Sequence, residues 1–129
     1  MTDVLALPTS LVEAQFDAVV GDIGVDAVKI GMLGQPELVD CVAGLLRRLP
    51  AGTPVVFDPV MIATSGAALA DAATIAAFER LMRLATLTTP NVPELVALGG
   101  HDGMMARAIT YLAKGGDADG PVVTDVLHR

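Results

Sequence analysis

Residues 55–66 read VVFDPVMIATSG, an apolar run that stops at Asp58-Pro59 and gives way to small polar residues. A short continuous apolar run bounded by turn residues reads as a buried strand, here Pro54 to Asp58. The strand delivers a carboxylate at its end, and the proline then fixes the next backbone angle. Two meanings fit that ending. Asp58 caps a turn into Ala63-Thr64-Ser65-Gly66, since Asp-Pro is a common turn pair. Alternatively the strand end is the edge of a site, where a carboxylate near bound phosphate holds Mg²⁺ directly or through water.

The neighbouring segments decide what kind of sheet this strand joins. Upstream, SLVEAQFDAVVGDI (Ser10 to Ile23) has apolar residues at helical spacing, with Ser10 as a candidate N-cap and Gly24 as the stop. DAVKI (Asp26 to Ile30) then reads as a strand running into Gly31-Met32-Leu33-Gly34. Pro36 opens a second helix reaching about Arg48, with Glu37 early and Arg47-Arg48 late, as the helix dipole favours. Downstream, Ala67 to Arg83 reads as a helix and Ala85 to Thr88 as a strand. Asn91 starts a helix that stops at Gly99-Gly100. Met104 to Ala113 fits one further helix, and Gly120 to Leu127 a closing strand. Strands alternating with amphipathic helices imply an α/β domain with a mostly parallel sheet. Ligands then gather at the C-terminal strand ends, which places Gly31, Asp58 and Thr88-Thr89-Pro90-Asn91 along one edge.

Composition narrows the function classes. The chain has 129 residues, the size of one domain. It is 53% hydrophobic with a mean hydropathy of +0.59, yet no apolar run reaches the roughly 18–20 residues that span a membrane. MTDVLALPTS lacks a basic n-region, so the expectation is a cytoplasmic chain without a secretory signal. A net charge of −7, and only one tyrosine and three phenylalanines for stacking, disfavour nucleic acid. The single cysteine, Cys41, precludes an intramolecular disulfide and reads as a helical thiol turned to the core.

Three further stretches carry candidate chemistry. Asn91, with Glu94 three residues on, is nearly a capping box. The same pair at a helix N-terminus suits organising a metal–water–phosphate network. Lys114-Gly115-Gly116 places a point charge suited to phosphate beside a backbone that allows close approach, or else it is a helix C-cap. Gly31 and Met32 follow a strand, so Met32 either fills core or lies against an aromatic ligand. His101 and His128 lack metal-ligand spacing and are assigned no role. No GxxxxGK[ST] or GxSxG pattern occurs.

Taken together, VDAVKIGMLG (25–34), PVVFDPVMIATSG (54–66), LTTPNVPELVALGG (87–100) and KGG (114–116) closely resemble hydroxymethylpyrimidine/phosphomethylpyrimidine kinase of thiamin biosynthesis, a ribokinase-superfamily member. The resemblance implies a ribokinase-like three-layer sandwich, incomplete in this chain, and a single domain over residues 1–129. It further implies MgATP-dependent phosphorylation of the pyrimidine alcohol and then its monophosphate, with a homodimer as the assembly. Gly31 and Met32 would contact the pyrimidine. Asp58, Asn91 and Lys114 would face the phosphates, and Asp58 and Glu94 would serve Mg²⁺.

The departures are equally specific. The family's N-terminal Gly-rich segment and its substrate-holding glutamine have no counterpart before Asp3. Its Gly-x-Gly-Cys turn, which supplies the anion hole and the proposed base, lies beyond Arg129. No catalytic residue is therefore assigned, and the 129 residues alone are expected to turn over poorly. Between Leu98 and Lys114 the family has a helix and then a strand, for which ARAITYLA leaves no room, so an internal deletion is expected. A pyridoxal-type kinase and an inactive ligand- or partner-binding remnant are the alternatives.

Overall fold

In the computed structural model, residues 5–61, 70–116 and 120–129 are described. The turn expected over Ala63–Gly66 and the first residues of the helix expected from Ala67 lie outside them. The elements in chain order are α1 (Thr9–Asp22), β1 (Val28–Ile30), α2 (Pro36–Leu46), β2 (Val55–Phe57) and α3 (Ala72–Met82). There follow β3 (Leu87–Thr88), α4 (Val92–Ala97), α5 (Gly100–Ala106), β4 (Tyr111–Ala113) and β5 (Val126–His128). Strands β1 to β4 are parallel and adjacent in order, and β5 pairs antiparallel with β4.

Local chemistry explains most of the boundaries. Pro8, not Ser10, precedes the first helix, and its carbonyl accepts from Leu11 and Val12. Ser10 therefore lies inside the first turn and caps nothing; the fixed φ of Pro8 sets the entry instead. Asp71 caps α3 by accepting from the Thr74 N–H at 2.7 Å, and that bond holds its carboxyl below the usual range. Arg80 of α3 forks onto the Asp40 carboxylate of α2 at 3.0 and 2.9 Å, which ties the two helices on their outer side. Cys41 is half-buried and directed at Glu13 of α1, and burial pushes its thiol pKa up.

The helix expected over Met104–Ala113 is not formed. Helix α5 ends at Ala106, Ala108 turns the chain with φ 56, and the Ile109 N–H bonds back to the Met104 carbonyl. Ile109 and Thr110 then lead into β4 at Tyr111, and β-branched and aromatic residues suit a sheet. Helix and strand both fit between Leu98 and Lys114, contrary to the expectation of no room: the helix is seven residues and the strand three. β5 is likewise shorter than the Gly120–Leu127 stretch.

One register row crosses the whole sheet: Ile30, Phe57, Thr88, Tyr111 and His128. Side chains in such a row share a face. Ile30, Phe57 and Tyr111 form the core with Val39 and Ala43 of α2, Phe78 and Leu81 of α3, and Met104 of α5. Phe78 meets Phe57 edge-on at 5.2 Å between centroids. Right-handed crossovers repeated in one direction put every connecting helix on the same face, which accounts for a single core. Lys29, Val56, Leu87, Leu112 and Leu127 occupy the opposite face and none belongs to that core. The described residues thus supply the sheet and one helical layer of the expected sandwich.

Thr88 is fully buried in that row, and its Oγ1 has no hydrogen-bond partner among the described residues. An unsatisfied buried hydroxyl costs about 1–3 kcal/mol, and valine has the same shape. Thr88→Val is expected to stabilise the chain by about 1 kcal/mol, read as a higher urea midpoint. A lower midpoint would mean that the hydroxyl is satisfied by water in solution.

Candidate functional site

The C-terminal ends of the four parallel strands are knitted together by backbone bonds. The Asp58 N–H donates to the Ile30 carbonyl at 2.8 Å, Thr89 to Phe57 at 2.9 Å, and Lys114 to Pro90 at 2.9 Å. A further parallel bridge joins Asn91 to Lys114. Each residue that follows a strand is thereby fixed beside its neighbour. Gly31, Asp58, Thr89 to Asn91, and Lys114 form one continuous edge; the strand–helix alternation predicts all but Lys114, which joins because it follows a strand and not a helix.

The Asp58 carboxylate receives the Lys114 ammonium, with Nζ at 3.1 Å from both oxygens. Its side chain is 21% exposed and that of Lys114 36%. The pair is half-sheltered yet open to an incoming ligand. Among the described residues the partner of the Asp58 carboxylate is the Lys114 ammonium; the turn it was expected to cap lies outside them.

Asn91 and Glu94 form a complete capping box on α4. Asn91 Oδ1 accepts from the Glu94 N–H at 2.8 Å, and Glu94 Oε2 accepts from the Asn91 N–H at 2.9 Å. Glu94 is only 6% exposed. Both side chains are immobilised by their own helix turn, so whatever else they hold is presented in a fixed orientation.

Beyond β1, Met32 is 44% exposed and does not fill the core; Leu33 beside it packs there instead. A Cβ placed on Gly31 would meet nothing within 4 Å, so the space over its backbone is open. Gly34 completes the turn at φ +81.

Lys114-Gly115-Gly116 ends a strand, not a helix, so the C-cap reading of Gly115 falls away. Gly115 is buried, and a Cβ there would lie 2.1 Å from the Thr124 carbonyl oxygen. Its N–H donates to Asp125 Oδ1 at 2.9 Å. Asp125 has no local signature: it meets Gly115 only because β5 folds back along β4.

Two histidines assigned no role converge away from this edge. His128 stacks on Tyr111 at 4.7 Å, and His101 lies 4.8 Å from His128 with Nδ1 at 2.6 Å from the Tyr111 hydroxyl. Burial, and secondarily Asp102, push the Tyr111 pKa up, so the phenol stays neutral and packs as core.

Metal binding has to be judged from the donors present. No group of three His, Cys, Asp or Glu side chains occurs among the described residues. Asp58, just past β2, and Glu94, in the first turn of α4 after the neighbouring strand β3, nevertheless supply hard carboxylate oxygens. That set suits Mg²⁺, which takes one or two carboxylates and completes its shell with phosphate and water. A dedicated protein cage of Zn²⁺ or Ca²⁺ type is not what these residues build.

The chain as a whole is similar to known proteins. The family described as Phosphomethylpyrimidine kinase matches residues 1–127. A hydroxymethylpyrimidine/phosphomethylpyrimidine kinase of Rhizobium meliloti (strain 1021) is 40% identical over 142 aligned positions, covering 98% of this chain and 53% of its own length. An alignment longer than 129 residues requires positions in that relative with no counterpart here. A crystal structure of phosphomethylpyrimidine kinase from Clostridium difficile 630 superposes with TM-score 0.72 at 32% identity, over 95% of this chain and 58% of that one. Pyridoxal kinase from Staphylococcus aureus, solved in complex with AMP-PCP, gives TM-score 0.77 at 27% identity, over 98% of this chain and 50% of that one. The chain therefore spans about half the length of these proteins. With the strand-end motifs in order and the match running from end to end, the chain belongs to the phosphomethylpyrimidine kinase family.

Proposed function

We propose that this chain carries the ligand-holding edge of a hydroxymethylpyrimidine/phosphomethylpyrimidine kinase, an enzyme that phosphorylates the pyrimidine alcohol and its monophosphate with MgATP for thiamin diphosphate biosynthesis. The observation that carries this reading is the Asp58–Lys114 pair at 3.1 Å, flanked by the Asn91–Glu94 box on one parallel-sheet edge.

The electrostatics of the edge assign the parts. Two carboxylates and one ammonium leave a local excess of negative charge, which repels a bare triphosphate. Asp58 and Glu94 would hold Mg²⁺, which when bound would supply the charge neutralisation that phosphoryl transfer requires. Lys114 then exchanges its carboxylate partner for phosphate oxygens, as a flexible point charge can. Asn91, pinned by its cap, orients the phosphate end. Gly31 leaves room for the pyrimidine close to the backbone, and the exposed thioether of Met32 lies against the ring. None of these residues is assigned as the base for the hydroxyl proton; they bind and orient. Dimerisation and a cytoplasmic setting belong to the same reading, and light scattering tests the dimer. No described helix is long and apolar enough to cross a membrane.

The test is ATP consumption by the purified chain with the pyrimidine alcohol, its monophosphate and pyridoxal offered separately. Because the assigned residues bind and orient but none serves as the base, slow consumption that depends on either pyrimidine is the expected result. The S. aureus pyridoxal kinase superposition favours one competing reading, and preference for pyridoxal would replace the pyrimidine assignment. Ligand binding without turnover would leave an inactive remnant of the fold.

A further inference from the structure

We propose that Asp125 is a positioning residue for Lys114, acting through the Gly115 amide. The inference rests on the phosphate-facing reading of Lys114 and adds a residue to it. A lysine ammonium on a four-carbon stem goes where its backbone aims it, so the orientation of the 114–115 peptide decides whether Nζ reaches the Asp58 carboxylate. That peptide lies one residue past β4, where the ladder to β5 gives out and only the Asn91 bridge continues on the other side. Ala113 pairs with Val126, so Asp125 stands opposite Lys114 in the antiparallel register. Its carboxylate bonds not the nearby ammonium but the Gly115 N–H, at 2.9 Å. The Thr124 carbonyl closes the other side, so near to Gly115 that no Cβ fits. The turn is clamped between a side chain and a backbone.

β5 contributes little else that would explain its presence. Its three residues pair only with β4 among the described residues, and Val126 and Leu127 remain 45% and 47% exposed. The far end is anchored by His128 stacked on Tyr111 and met by His101. A strand that buries little, fixed at one end by an aromatic stack and holding the Lys114 turn at the other, acts as a brace. A carboxylate–amide bond is stronger than a neutral one, but its direction matters more here than its charge.

Three variants of the full chain separate these terms. Asp125→Asn keeps an acceptor at the same reach without charge, Asp125→Glu keeps charge at the wrong reach, and Asp125→Ala keeps neither. Calorimetric titration with Mg–AMP-PCP is expected to show binding weakened about tenfold by Ala, severalfold by Glu and less than twofold by Asn, with Gly115 amide exchange accelerated in the same order. Binding by the Ala and Glu variants within twofold of the unmodified chain would overturn the proposal. A second readout needs no nucleotide: Lys114→Met should lower the melting temperature less in the Asp125→Glu background than in the unmodified chain, because the Asp58 contact is already disturbed. An equal drop in both backgrounds would overturn the proposal even if the chain binds no nucleotide at all. Absence of Mg–AMP-PCP binding in the unmodified chain, with the unequal drop observed, would overturn the kinase reading and leave the positioning role standing.

Discussion

Lys114→Met is expected to weaken Mg–AMP-PCP binding by roughly 10- to 100-fold, the equivalent of losing one hydrogen bond to a charged group worth about 1.5–3 kcal/mol. The substitution keeps the length and apolar stem of the side chain and removes only the ammonium. It also leaves the Asp58 carboxylate, now 3.1 Å from Nζ on both oxygens, without its partner. Because the pair is partly solvated, that loss costs folding about 1 kcal/mol or less. A large binding effect with a small stability effect is therefore the signature of a phosphate-facing lysine. Asp58→Asn tests the other half of the pair. Its binding should become less dependent on Mg²⁺, since a carboxylate ligand is gone and a repulsive charge with it. Calorimetry with and without Mg²⁺ reads both variants.

Gly115→Ala is expected to be the most disruptive alanine substitution among the described glycines. The new Cβ would stand 2.1 Å from the Thr124 oxygen, 2.9 Å from its carbonyl carbon and 3.0 Å from its nitrogen. All three are backbone atoms, so no side chain can swing aside. Either β5 peels from β4 or the Lys114 turn is displaced, at a cost of about 2–4 kcal/mol. Phosphate binding should fall with it, because Lys114 is aimed by that turn. Gly116→Ala is the control: a Cβ there meets nothing within 4 Å, and stability should change by less than about 0.5 kcal/mol. Urea unfolding of both variants decides the comparison, and equal midpoints would contradict the clamp at Gly115.

The first two-thirds of the fold was legible because its signals are local. VVFDP and VKIG are apolar runs closed by turn residues, and each became a strand within two residues of its expected ends. Asn91 and Glu94 announced a capping box through their spacing, and the box is complete. Around Met104 the local signal misled. Helical spacing continues past Ala106, whereas β4 exists because Tyr111 pairs with Thr88 and buries its ring. That gain is tertiary and overrides propensity.

The site followed the same division. Gathering Gly31, Asp58 and Asn91 on one edge required only the strand–helix alternation and the parallel-sheet rule. Bringing Lys114 to Asp58 spans 56 positions, a contact that no spacing argument supplies; the family resemblance went only as far as placing each near the phosphates. Asp125 and the His101–Tyr111–His128 cluster stayed invisible because both depend on β5 reversing direction along β4. Ser10 shows the converse error: a residue of the right type one position inside a helix that Pro8 had already started.

The central claim is that this strand-end edge holds a magnesium nucleotide through Asp58, Glu94, Asn91 and Lys114. Its most direct test is a calorimetric titration of the chain with AMP-PCP, with and without Mg²⁺, alongside Lys114→Met. The account predicts one site, saturable only when Mg²⁺ is present and weakened by the lysine substitution. Binding indifferent to both Mg²⁺ and Lys114, or no binding at millimolar nucleotide by a chain shown to be folded, would contradict it.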